Sequence, residues 1–529
     1  NLPPDPSPCQ PKSMWRHHRL LFIALVVLTV ARWVLAGCLE LSPDEAYYKL
    51  WSQHLDWSYY SKGPGVASAI WLGTHLFGDT AFGVRFFAPL LGLGTSLLIY
   101  RLGRSLFDGH TGAWSVVLLN CTPIFNAGSI VMTIDPPSVF FWTASLYALW
   151  TALHRASPGT PYWWLAGALA GAGFLFKYTD AFLLAGLLLL PLASRWRGLW
   201  RSPGPWMYLA AFGVCTIPVV VWNQQNGWIT LTHLLERGKI GEATGYHAGT
   251  FLETLALHAG VYSPLIFVGL LWAGWQAAVR ARHEAPVLFV AVFSLPIVVF
   301  YFALSFKETG EPNWTAPGFV GLGWWLVAAF RRIRWSATAK GALRGTALGL
   351  GILLCAAGLN CDLLRKAGAA IPYDRDPLVR LKGWKETALA TDRYVREAAG
   401  RSGRPVFVVA DRYQLAAALA HALPADSPLL CPPGGYPRVH VLESPNIRNQ
   451  FSFWPRYDGL DPGRTSASPF LGQDALFVTN DADDQSPPLE VVHAFAKVEP
   501  SALVEIRRLG LPVRQVKIFA CSGYRGLDW

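Results

Sequence analysis

Two adjacent acids, Asp44 and Glu45, stand shortly after the first long apolar run, in LSPDEAYYKLWSQHLDWSYYSKGPG. Tyr47, Tyr48 and Trp51 follow at helix-like spacing, then Trp57, Tyr59, Tyr60 and Lys62-Gly63-Pro64. Later apolar runs end the same way. Asp135 sits in MTIDPP, Lys177, Tyr178 and Asp180 share a tight turn, and Asn223 opens a longer loop that holds Arg237 and Lys239. Lys307, Glu308, Glu311, Asn313 and Trp314 close the set. An acid beside an apolar run is expensive unless it is paired or faces water. Acids and bases that recur at the ends of such runs point to one shared polar cavity. There a carboxylate can take a proton from an acceptor hydroxyl, while an ammonium or guanidinium holds the phosphate of a lipid whose tail stays in the bilayer. Blander roles compete. The aromatic stretch, Tyr59 and Tyr60 included, also suits an interfacial belt. Asp135 also suits a helix cap before Pro136, and Lys62 a snorkelling anchor.

The elements that must position these residues follow from the charge distribution. The chain has 529 residues, 52% apolar and only 15% charged, against roughly 25% charged in soluble domains. Residues 1–360 hold 39 of the 79 charged residues and residues 361–529 the other 40. This split excludes a single soluble globule, a disordered chain and a fibre. Runs near the 20 residues or so that cross a bilayer as helix lie at 20–37, 82–100, 112–132, 136–153, 162–176, 181–193, 206–222, 257–279, 286–305, 314–330 and 345–360. The expected fold class is therefore a polytopic α-helical membrane protein of about 11 transmembrane helices. The first run is long and lacks a small-x-small cleavage site, so it reads as a span rather than a signal peptide.

With the N-terminus cytoplasmic, sixteen Lys and Arg fall on inner segments and about eight on outer ones, the bias the positive-inside rule expects. The net charge of +11 thus belongs to membrane topology and does not argue for nucleic acid. The reading places a flexible cytoplasmic tail at 1–19, a transmembrane domain at 20–362 with long outer loops 38–81 and 223–256, and an extracytoplasmic α/β domain at 363–529. In the last, PVFVVA, DALFVT, LEVVHAF and VRQVKIF read as strands and 385–399 and 411–421 as helices. Cys431 and Cys521 both fall there and could pair in an oxidising compartment. Cys121, Cys215 and Cys355 lie in spans and read as packing residues. The start on Asn1 fits a trimmed chain. No H-E-x-x-H, C-x-x-C, P-loop or dinucleotide fingerprint occurs, so a divalent metal has no support in the sequence. Asp481, Asp483 and Asp484 in NDADD read as a solvated turn. A transporter or lipid flippase, the alternative, would place ionisable groups near the midplane and show repeats with broken helices. A non-catalytic scaffold would leave the clustering of Asp44, Lys62 and Asp135 without a purpose.

Several blocks carry a family resemblance: the Asp-Glu with its aromatic helix and Tyr-Tyr-x-Lys-x-Pro, then FLFKYTDAFLL, PVVVWNQQNGW and NWTAPGF, and in the tail DRYQLAAALAHALP, RNQFSFWP and LGQDALFVTND. Through them the chain resembles bacterial GT-C membrane glycosyltransferases of the dolichyl-phosphate-mannose–protein mannosyltransferase type, a group related to the lipid A aminoarabinose transferase. The resemblance implies a polyprenyl-phosphate-linked sugar as donor and a single inverting displacement at its anomeric carbon. It implies Asp44 as base, with Glu45 as competitor, and Asp135 as a second acid that orients acceptor or sugar. Lys62 matches the family's phosphate-contacting lysine, and Arg237 is a second phosphate candidate. Tyr59 and Tyr60 would donate to phosphate or stack on sugar. Lys177 and Lys307 would partner the acids, and Tyr178, Asn223 and Glu308 would line the pocket. Ser61-Lys62-Gly63-Pro64 stands where many relatives carry Asp-His-Pro-Pro, and Asn226 where His is common; these departures leave the sugar and acceptor open. The implied partners are membrane lipids, the lipid-linked sugar and an acceptor on lipid, glycan or protein. The implied setting is a monomer in the bacterial inner membrane.

Overall fold

The computed structural model describes residues 18–155, 159–192, 194–238, 245–359, 361–461, 464–465, 468–480 and 486–527. Lys239, Asp481, Asp483 and Asp484 lie outside the described residues, as does most of the expected 1–19 tail. The chain forms two compact units. One comprises the residues up to Gly37 together with Lys62–Ala356; the other comprises Cys38–Ser61 together with Ala357–Trp529.

The first unit is helical. Among the described residues five helices are long and apolar enough to cross a membrane: Arg19–Cys38, Ala81–Leu106, Pro203–Gln225, Ala285–Leu304 and Ala337–Gly358. The other apolar runs are also helical but shorter or interrupted. The run at 112–132 divides into Gly109–Asn120 and Pro123–Gly128. Pro123 cannot continue the hydrogen-bond ladder and drives Thr122 into extended backbone (φ −100°, ψ 135°). The run at 257–279 turns by 114° between Ala248–Tyr262 and Pro264–Arg280, with Ser263 at φ +69° before the proline. The run at 181–193 is a chain of short helical pieces within Tyr178–Leu192. Close packing rests on small residues. A Cβ at Gly167 would stand 2.1 Å from the Tyr208 carbonyl oxygen, so glycine lets Pro161–Phe176 and Pro203–Gln225 approach backbone to backbone.

The second unit is α/β. Its five-stranded sheet contains β1 (Phe407–Ala410), β2 (His440–Val441), β5 (Ala475–Thr479), β6 (Phe495–Arg508) and β7 (Leu511–Tyr524) in the order β2-β1-β5-β7-β6; β3 (Leu460–Asp461) and β4 (Arg464–Thr465) form a separate pair. β1 runs parallel to β2 and β5, and β7 antiparallel to β5 and β6. Helix Trp384–Ser402 covers the helical segment expected at 385–399, and Tyr413–Ala422 begins two residues later than the one expected at 411–421, because Arg412 is extended. LEVVHAF corrects a strand assignment: Leu489–Ala494 is helical, and only Phe495 joins β6. Val491 and Ala494 are buried while Leu489 and Val492 are exposed, a three-residue period that fits a helix face rather than a strand. Cys431 is exposed, Cys521 is buried, and both are free thiols.

Candidate active site

The first unit assembles most of the basic candidates. The Lys62 segment is pressed onto the end of helix Pro161–Phe176: a Cβ at Gly63 would meet the Leu175 carbonyl oxygen at 2.3 Å, so glycine is required for the approach. That helix stops at Lys177, whose extended backbone turns a buried ammonium toward Asp135. Lys177 Nζ donates to Asp135 Oδ1 at 2.7 Å and to the Asn313 carbonyl oxygen at 2.9 Å. Asn313 Nδ2 and Thr133 Oγ1 donate to Asp135 Oδ2 at 2.9 and 3.2 Å. Asp135, in the first turn of Asp135–Leu153, is thus joined to Lys177 as a hydrogen-bonded ion pair. It borders a largely apolar cavity of about 60 Å³, with Asp135, Tyr262 and Asn313 among its polar lining and Phe125, Val139 and Val320 among its walls.

Next along from Asn313, Trp314 carries the Arg237 guanidinium 5.7 Å above its ring. Arg237 ends the short helix Ile229–Arg237, and His233 lies one turn earlier on the same face. Burial, joined by the positive charges of Lys62 and Arg237, pushes the His233 imidazole down to about 4. The charges of Lys62 and Arg237, the two proposed phosphate ligands, thus both reach His233. The remaining candidates scatter. Asn223 Nδ2 is spent on the Val219 carbonyl, 3.0 Å away. The Tyr178 ring leans on Phe174, 4.9 Å between centroids. Lys307 faces the Tyr246 ring at 6.0 Å. Glu308 is half-buried just beyond the helix Ala285–Leu304.

The second unit holds Asp44, Glu45, Tyr59 and Tyr60. The helix Pro43–Gln53 begins with a capping box: Glu45 N donates to Ser42 Oγ at 3.2 Å and Ser42 N to Glu45 Oε2 at 2.9 Å. Glu45 is fully buried and serves the cap, whereas Asp44, one residue earlier, is only partly buried in a first turn whose dipole favours the carboxylate form. The Tyr59 hydroxyl is committed inside the loop. It donates to the Trp51 and His54 carbonyls at 3.2 and 3.1 Å and accepts from Asp56 N at 3.2 Å, while its ring stacks on Trp51 at 4.5 Å. Tyr60 is buried, and its N–H donates to Gln450 Oε1 at 2.7 Å. Glu40 fastens the chain just before the cap. It accepts from Trp384 N and Lys385 N at 2.7 and 3.1 Å and from Arg508 Nη1 at 2.6 Å.

His233, Gln450 and Glu40 were not visible as site residues in the sequence. His233 had one signal, its four-residue spacing from Arg237; Gln450 stood only inside the block RNQFSFWP, and Glu40 had none, since their partners lie far along the chain. Among the described residues no three of His, Cys, Asp and Glu group as metal ligands.

Known proteins carry matching features. The family model described as dolichyl-phosphate-mannose-protein mannosyltransferase matches residues 61–222, the segment that contains Lys62, Asp135 and Lys177. A lipid A galacturonosyltransferase of Rhizobium johnstonii is 28% identical over 292 residues, which cover 54% of this chain and 60% of that protein; the chain thus spans about three fifths of its length. An undecaprenyl phosphate-alpha-4-amino-4-deoxy-L-arabinose arabinosyl transferase of Pseudomonas aeruginosa is 30% identical over 379 residues, 66% of this chain and 67% of that protein. The crystal structure of ArnT from Cupriavidus metallidurans in the apo state aligns with a TM-score of 0.62 at 17% identity, over 97% of this chain and 98% of that one. It shares the fold.

Proposed function

The chain belongs to the bacterial GT-C membrane glycosyltransferases of the dolichyl-phosphate-mannose–protein mannosyltransferase type, and from that premise we propose that it transfers a sugar from a polyprenyl-phosphate carrier to an acceptor hydroxyl. The observation that carries this reading is that the Lys62 segment packs on the helix end that precedes Lys177 and Arg237 lies over Trp314, next to Asn313, so both cations border the Asp135–Lys177–Asn313 cluster. Two cations beside one polar cluster suit a lipid phosphate, and the acid of that cluster is already neutralised by its own lysine. The relatives supply the rest of the proposal: an undecaprenyl-phosphate sugar as donor and lipid A as acceptor. Glycan and protein hydroxyls are the other acceptors this chemistry accommodates.

In this mechanism Asp44 takes the proton from the acceptor hydroxyl as its oxygen attacks the anomeric carbon from the side opposite the phosphate. The bond from that carbon to the phosphate oxygen breaks, the phosphate leaves with the electron pair, and Lys62 and Arg237 stabilise its charge. The sugar arrives inverted. Asp135, fixed by Lys177 and Asn313, orients a sugar or acceptor hydroxyl by accepting a hydrogen bond from it. The proposed topology has about eleven crossings with the N-terminus cytoplasmic; five helices among the described residues are long and apolar enough to cross, six if the bent pair is one span. Residues 363–529 then form a soluble domain on the extracytoplasmic face of the inner membrane, and the protein works as a monomer.

The test uses purified protein in nanodiscs supplied with undecaprenyl phosphate and its aminoarabinose and galacturonic acid derivatives. Wild type binds undecaprenyl phosphate, and Lys62→Ala with Arg237→Ala weakens binding by about 2 kcal/mol or more, as loss of charge-assisted bonds predicts. Unchanged binding in that double variant would remove the phosphate assignment.

A further inference from the structure

Gln450 opens the one-turn helix Gln450–Phe453, which is fixed by Asn449, whose Oδ1 accepts from Phe451 N at 2.9 Å. From there Gln450 reaches two places at once. Its backbone N–H donates to the Tyr47 hydroxyl at 2.7 Å, and its side-chain Oε1 accepts the Tyr60 N–H at 2.7 Å. All three residues are buried, with 2, 5 and 8% of their surface exposed for Gln450, Tyr47 and Tyr60. Rings fill the space around these bonds. Tyr47 lies 4.5 Å from Tyr413, 5.9 Å from Phe451 and 5.0 Å from Trp51 between centroids.

The two bonded residues frame the chemistry. Tyr47 is one turn after Asp44 on the same helix, so the bond from Gln450 holds the face that carries Asp44. Tyr60 ends the loop two residues before Lys62. A residue that ties both ends of a loop, one through its backbone N–H and the other through its side chain, fixes the loop's length and angle more firmly than either bond alone, and a misplacement of about 1 Å at a reacting group costs roughly 10²-fold in rate. Aromatic packing by itself permits sliding; a backbone N–H with one buried acceptor does not.

We propose that Gln450 is a positioning residue for sugar transfer: bonded to Tyr47 and Tyr60, it holds the helix that presents Asp44 and the loop that follows it in one working arrangement. It touches neither substrate and acts only through those two residues. The proposal rests on the reading of Asp44 as base, and it gives RNQFSFWP in the C-terminal residues a part in turnover rather than in acceptor capture alone.

The experiment compares full-length wild type, Gln450→Leu, Gln450→Glu, Tyr47→Phe and Asp44→Asn in nanodiscs. Two readouts are hydrogen exchange of peptides from residues 43–62 and turnover with undecaprenyl-phosphate aminoarabinose and galacturonic acid. Gln450→Leu should exchange faster in residues 43–62 and unchanged in β5 and β7. Its kcat should fall at least tenfold while the donor KM stays within threefold. Gln450→Glu keeps an acceptor oxygen for Tyr60 and should recover most of both. If Gln450→Leu does not fold, Tyr47→Phe, which removes the other bond, should show the same exchange and kcat changes. Unchanged exchange in residues 43–62, or a rate loss that Gln450→Glu shares in full, overturns the proposal. Full activity in Asp44→Asn instead overturns the base assignment, and the exchange result then still decides whether Gln450 positions the loop.

Discussion

His233 senses both cations assigned to the donor phosphate, so it can report when that phosphate arrives. Burial, and after it the charges of Lys62 and Arg237, hold its imidazole down at about 4, well under the value near 6.5 of a free histidine. A bound phosphate would offset the two positive charges. Labelled-histidine NMR should therefore show His233 titrating at higher pH with undecaprenyl phosphate than without it, and higher again in Lys62→Ala than in wild type. The linkage has a definite sign. A folded-state pKa below the unfolded one favours the neutral imidazole, so His233 stabilises the fold above about pH 6.5 and this contribution is lost as pH falls toward 4. Chemical denaturation at pH 7 and pH 4.5 should show a smaller acid-side loss in His233→Gln than in wild type. The two adjacent acids should also part company. Glu45→Gln keeps the capping box and should retain transfer, while Ser42→Ala should lower stability by about 1 kcal/mol. The acids and Lys62 were readable from residue type and place alone. Which acid serves the cap was not, because it depends on the single residue at which the helix begins.

At the scale of elements, apolar length predicted helices, but proline and backbone geometry decided where they break. Cys121-Thr122-Pro123 and Ser263-Pro264 each interrupt an apolar run that reads as continuous. The β6–β7 hairpin was half legible. VRQVKIF lies in β7, but FAKVEPSALVEIRR is an edge strand with charges and Pro500 facing out, and a pattern so exposed lacks the alternation that marks a strand. Its turn, Leu509 at φ +49° and Gly510 at φ +78°, has the double left-handed form of a tight hairpin. Just after the last long helix, Arg365 Nη1 donates to Asp362 Oδ1 and Asp376 Oδ2 at 2.6 Å each, and Lys382 Nζ to Asp376 Oδ2 at 2.8 Å. Burial opposes ionisation of Asp362, but the bonds from Lys382 and Arg365 outweigh it and bring the carboxyl down to about 2. Stability from Asp362 is present above its unfolded value near 4 and is lost as pH falls through 2. Asp376→Ala leaves Arg365 and Lys382 to share Asp362 alone and should destabilise the second unit by about 3 kcal/mol, measurable by denaturant unfolding followed through the near-ultraviolet signal of Trp384, whose residue neighbours this network.

Over the whole molecule, the division of charge between residues 1–360 and 361–529 separated a membrane part from an α/β part before any coordinates. The structure refines that division by grouping Cys38–Ser61 with the C-terminal residues. No periodicity announces this, because the bonds that do it, such as Tyr60 to Gln450 and Lys49 Nζ to His421 Nδ1 at 3.0 Å, join positions hundreds of residues apart. The Asp135–Lys177–Asn313 cluster was equally hidden: each member was named from its place at the end of an apolar run, but their pairing comes from the meeting of three distant helix ends. The account stands most directly on sugar transfer by Asp44. The deciding measurement is mass spectrometry of lipid A after incubation with undecaprenyl-phosphate aminoarabinose or galacturonic acid and the nanodisc-embedded protein. Wild type should add one sugar mass, and Asp44→Asn should bind undecaprenyl phosphate normally yet transfer about 10³-fold more slowly, as loss of a general base predicts. Transfer by Asp44→Asn at the wild-type rate would contradict the account.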